Sequence, residues 1–155
     1  MGDDYRAQLS EDSILWSVGE VTTAELIRLA CEALVSGLDS QALRELAGVS
    51  ESSSTSDYDV EDVLERVADD FAFKVYARNS PEGRLAAAQV LAAQCVAGHL
   101  PPRELARWMH TRIKHGHPDA RVETLVSLDD RYDRSSTRET NLSRLIARYW
   151  RPRNG

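Results

Sequence analysis

The sequence predicts an all-α fold, a single irregular bundle of about six or seven helices. Three observations predict it. Apolar residues recur at three- and four-residue spacing along most of the chain. The 5 prolines and 8 glycines fall mostly between those segments, where they punctuate. No sustained apolar–polar alternation demands a strand. A chain of 155 residues fits one domain with one sizeable core, and 42% hydrophobic with 28% charged residues is ordinary globular composition.

The first twenty residues are ambiguous. A short helix around Ser13–Val18 would dock Ile14, Leu15 and Trp16 onto the body. The first firm helix opens at Thr22, where TTAE offers a capping box with Glu25 and Gly37 marks the stop. Leu26, Leu29, Ala30, Ala33 and Leu34 form its apolar stripe. A short helix follows from Ser40 to Ala47, with Gly48 as a left-handed cap. The stretch GVSESSSTSDY, residues 48–58, has too few apolar groups to pack and reads as a flexible loop.

The strongest helical signal runs from about Asp59 to Arg78, through Val60, Val63, Leu64, Val67, Phe71 and Val75. Ser80-Pro81 then starts an alanine-rich helix that ends at Gly98. Pro101-Pro102 opens another, ending near Gly116. One more spans roughly Asp119 to Leu128 and a last begins at Ser136, capped by Glu139, and ends before Pro152 to leave a short tail.

Charge is unevenly placed. Residues 1–78 hold 17 acidic and 6 basic side chains, net −11, while residues 79–155 hold 8 and 13, net +5. The two halves either face each other or meet partners of opposite sign. The acidic N-terminus lacks the basic-then-apolar order of a signal peptide. No apolar run approaches the ~20 residues of a bilayer span. A cytoplasmic protein that does not meet a membrane is expected. Cys31 and Cys95 sit in apolar helical patterns without a CxxC pair, so both are expected as buried free thiols.

Chemistry-bearing residues gather in HTRIKHGHPD, His110–Asp119. His110 and His115 are five apart and cannot share a helix face. A loop would still let His115, His117 and Asp119 meet around zinc. The competing reading is of surface and capping histidines at a helix C-terminus, where the dipole favours a cation. Asp129, Asp130 and Asp133 in LDDRYD lack the spacing of a calcium loop and read as a solvated turn. Phosphate-loop, GxSxG and HExxH patterns are absent. No enzyme activity, catalytic residue, metal or cofactor is expected.

Two faces have the makings of a binding surface. At about 100° per residue, Asp62, Glu65 and Asp69 line the side of the 59–78 helix opposite its apolar stripe, and Phe73 and Tyr76 fall on that same side. Carboxylates flanked by aromatics suit a protein partner. Alternatively, another helix, or a second copy in a homodimer, covers the two aromatics. The last helix turns Arg144, Arg148 and Arg151 away from its apolar side, a face able to meet phosphate or carboxylate groups.

The segment ALRELAGVS resembles the first helix and turn of a helix-turn-helix module, but the acidic ESSSTSDYD follows where a recognition helix should stand. Nucleic-acid binding therefore falls to the terminal arginines, as the alternative function. A wider resemblance covers roughly residues 84–133, RLAAAQVLAAQCVAGHLPPRELARWMH…VETLVSLDDRYD. An alanine-rich helix ending in glycine, a turn, an amphipathic helix with Trp108 and an acidic LDD end follow one another. This is similar to small all-α bacterial immunity proteins of the colicin D immunity type and to Ala/Arg-rich actinobacterial helical proteins. The resemblance implies a non-catalytic inhibitor of a toxin. An acidic surface would suit a nuclease, whose own substrate is a polyanion.

Overall fold

Serine, threonine or proline opens four of the helices, and glycine follows most of them. A computed structural model describes residues 2–50 and 57–132, with 144, 146 and 147. Among these the chain is helical without strands: α1 (Gly2–Ser17), α2 (Thr23–Val35), α3 (Gln41–Ala47), α4 (Asp57–Phe71), α5 (Pro81–Val96), α6 (Pro102–Arg112) and α7 (Ala120–Tyr132). No helix of the described residues is long and apolar enough to cross a membrane.

The expected local signals recur as hydrogen bonds. Thr22 Oγ1 accepts from the Glu25 N–H at 3.2 Å while Glu25 Oε2 accepts from the Thr22 N–H at 2.8 Å, a complete capping box. Ser40 and Ser80 cap α3 and α5 through the Leu43 and Gly83 amides. Past α2 and α5 the chain turns left-handed at Gly37 and Gly98, so Leu38 and His99 donate back to Ala33 and Gln94.

Four expectations are corrected. The first helix is not confined to Ser13–Val18 but spans sixteen residues, Gly2–Ser17. Ser13 and Ser17 lie on its buried side and satisfy their hydroxyls on the Ser10 and Ile14 carbonyls, which blurs the apolar stripe. Gly48 ends α3 with φ −89°, right-handed rather than left-handed. The 59–78 helix stops at Phe71, and α7 continues through Asp129 and Asp130 to Tyr132, so these two belong to a helix instead of a turn.

The chain divides by its packing into two compact units, residues 1–83 and 84–155. In the first, α1 packs on α2 and α4, α2 on α3, and α3 on α4. Leu9, Trp16, Leu26, Leu43, Leu46, Leu64 and Val67 are the bulk of its core. Beyond α4, residues 73–77 run without turn or bend. Phe73 and Val75 pack against that core while Lys74 between them is exposed. Arg78 fastens the far end of this strap. Its guanidinium lies 4.4 Å over the Trp16 ring and donates to the Trp16 carbonyl.

In the second unit α6 packs on α7. Ala87, Leu91, Ala92 and Cys95 of α5, Leu105 and Met109 of α6, and Val122, Leu125 and Val126 of α7 are buried, as is Ile146. Cys31, expected to be buried like Cys95, is exposed on α2.

Candidate protein-binding surface

The fifteen residues of α4 separate into two sides. Val60, Leu64, Val67 and Ala68 are buried, at helical spacing. Asp62, Glu65, Asp69 and Asp70 are exposed on the other side. Asp62 is partly neutralised by Arg66 one turn on, at 3.6 Å, and Arg66 also reaches Glu45 of α3 at 2.5 Å. Among the described residues Glu65, Asp69 and Asp70 make no ion pair. The last two stand in the final turn of α4, which holds no basic residue. Negative charge is disfavoured there by the carbonyl end of the helix dipole. Arg6 of α1 partly relieves it, its Nε donating to the Phe71 carbonyl at 2.6 Å.

The structure therefore brings Asp62, Glu65 and Asp69 together as expected. It does not place Phe73 and Tyr76 beside them on a helix. Ala72 takes φ 57°, Phe73 turns into the core, and Tyr76 is half-buried on the strap with Lys74 Nζ 4.8 Å over its ring. Asp70 and the Arg66 link went unnoticed in the sequence. Asp70 was readable, eight residues past Asp62 and so near the same face; Arg66–Glu45 is a contact between helices with no local signal.

The histidine run forms a corner between α6 and α7. Lys114 and Gly116 take φ 66° and 87°. Glu123, in the first turn of α7, reaches back across it. Its Oε2 accepts from the Gly116 and His117 amides at 2.8 and 3.2 Å, and its Oε1 lies 3.0 Å from His115 Nδ1. The His115 hydrogen bond leads in holding this carboxylate below its usual range. His117 Nδ1 accepts from the Asp119 N–H, and Asp119 binds Arg121 through both oxygens. His110 meets His115 edge to face at 5.0 Å. His115, His117, Asp119 and Glu123 are thus engaged in shaping the corner. Among the described residues no three His, Cys, Asp or Glu side chains gather as a metal site requires.

A cleft of about 240 Å³ that the sequence did not announce lies between α1 and α2. It is lined by Gln8, Asp12, Val21, Glu25, Arg28, Leu29 and Glu32. Burial, then Glu11 and Glu25, push the Asp12 carboxyl above its ordinary range, with Arg28 opposing. Of the arginine face, Arg144 is exposed on helical backbone. Arg148, Arg151 and Asp133 lie outside the described residues, as do residues 51–56 of the serine-rich stretch.

No family model matches the chain, and neither a curated protein nor a solved structure was found similar to it.

Proposed function

We propose that this protein is a non-catalytic binding module that sequesters a basic protein partner through the acidic face of α4, in the manner of an inhibitor or immunity protein. One observation carries the reading. Glu65, Asp69 and Asp70 are exposed without an ion pair among the described residues, and two of them sit where the helix dipole opposes negative charge. A feature that costs local stability without structural return is expected where binding uses it. Residues 1–78, net −11, extend the same field and speed encounter with a basic surface, including that of a nuclease toxin.

Charge reversal at Asp62, Glu65 and Asp69 tests this. The wild-type protein should capture a basic partner from host extract, and that capture should weaken as salt rises. The triple variant, still folded by circular dichroism, should lose both the capture and the salt sensitivity. Equal capture by variant and wild type would remove α4 as the contact.

A further inference from the structure

The cleft between α1 and α2 holds a charge that the fold leaves unanswered. Gln8 and Asp12, one turn apart on α1, line one side; Glu25, Arg28 and Glu32 line the other, along one face of α2. Val21 and the buried Leu29 add an apolar lining. Asp12 is half-buried, yet among the described residues neither Asp12 nor Gln8 takes part in a side-chain hydrogen bond or ion pair. Loss of water disfavours a carboxylate there, and the like charges of Glu11 and Glu25 add to the penalty. Arg28 does not answer it: its Nε lies 3.9 Å from Glu32, an exposed pair one turn apart, and it makes no ion pair with Asp12. Glu25 stays ionised, because the Thr22 amide and hydroxyl both donate to its Oε2 and lower its carboxyl. Asp12, Glu25 and Glu32 against Arg28 leave the cleft at net −2.

We propose that this cleft takes an arginine side chain of the basic partner, its guanidinium on Asp12 and its stem along Leu29. That the arginine comes from a partner protein rests on the binding reading above; the preference for a cation rests on the cleft itself. Size argues for a side chain. At about 240 Å³ the cleft falls below the roughly 300–1,000 Å³ of sites for drug-sized ligands. A guanidinium presents a planar fork of donors to a carboxylate, and its methylenes cover apolar surface while the head meets charge. Arginines seated in pockets are frequent anchors of protein interfaces.

The probe is arginine blocked as its N-acetyl methylamide, compared with blocked citrulline, which keeps the length and shape but carries no charge. Each is titrated into the full-length protein at low ionic strength and followed by nuclear magnetic resonance. Blocked arginine should shift the amides of Gln8, Asp12 and Leu29 saturably. It should also lower the Asp12 carboxyl pKa, because a bound cation favours the ionised form. Citrulline should do neither. Asp12→Asn should weaken arginine binding about tenfold, the loss of one charged hydrogen bond. Arg28→Gln removes the competing cation and should strengthen it. Should Asp12→Asn fail to fold, Arg28→Gln and the citrulline comparison on wild-type protein still decide. No saturable shift at those amides, equal binding of citrulline, or unchanged affinity in both variants overturns the proposal. Agmatine binding far more tightly than blocked arginine overturns the occupant and gives the cleft to a small free dication. These titrations use no partner, so their failure leaves the acidic face of α4 standing, and a failed capture through α4 leaves them unaffected.

Discussion

The Phe73 N–H donates to the Ala68 carbonyl at 3.0 Å, and this bond closes α4 around Ala72, whose φ is 57°. The same backward bond follows α2 and α5, where Gly37 and Gly98 occupy the left-handed position. In α4 an alanine carries the strain of a Cβ in that conformation. Ala72 is exposed, so removing its methyl opens no cavity. Ala72→Gly should therefore stabilise the protein by about 1 kcal/mol, read as a higher urea midpoint at unchanged slope. A lower midpoint would mean that α4 ends differently.

That alanine also explains what the sequence hid. The openings of α2, α3 and α5 were legible because Thr22, Ser40 and Ser80-Pro81 are local signals, completed within three residues. The end of α4 was not, because DDFAFK offers no glycine and Val75, four residues past Phe71, keeps a helical spacing by coincidence. Reading on to Arg78 placed Phe73 and Tyr76 on a helix face that stops before them. The row of Asp62, Glu65 and Asp69 survived, since helical phase within α4 alone determines it. α1 escaped for a different reason. A buried serine that bonds to its own helix is chemically satisfied but looks polar in sequence.

Asp70 offers a test in which stability and function should part. It lies in the last turn of α4 with no basic residue beside it in that turn. Asp70→Asn removes a charge from the unfavourable end of the dipole and should stabilise by about 0.5 kcal/mol at low ionic strength. Added salt should shrink the gain, because the interaction is screened. The same substitution should weaken capture of a basic partner. A variant that gains stability and keeps full capture would place the contact elsewhere on the acidic half.

The corner between α6 and α7 predicts how acid acts on the second unit. Hydrogen bonds from the Arg121 guanidinium, then from its N–H, lower the Asp119 carboxyl from an ordinary 3.8 to about 2. Glu123 is lowered too, chiefly by His115. A carboxylate with a depressed folded pKa binds its proton more weakly folded than unfolded. Its contribution is complete above the ordinary value near 3.8 and fades as pH falls toward about 2. Asp119→Asn should flatten the dependence of the urea midpoint on pH across that window and leave it unchanged in shape above pH 5. Both groups are only half-buried, so the effect should be small and reduced by salt. An undiminished slope would assign acid sensitivity to carboxylates elsewhere.

The two thiols should behave as two classes, contrary to their similar sequence settings. Cys95 is 4% exposed within α5, and burial alone pushes its pKa up. Cys31 is exposed on α2, its Sγ 3.8 Å from the Ala47 carbonyl. Disulfide exchange needs both a thiolate and access, and Cys95 is poor in each. A thiol–disulfide reagent at pH 8 should therefore titrate one fast thiol in the native protein and a second only on unfolding. Cys31→Ser should abolish the fast phase and leave the slow one. The slow rate then reports how often α5 opens, which makes Cys95 a probe of the second unit. Fast reaction of Cys95 in native buffer would show that α5 does not keep its alanine face covered in solution.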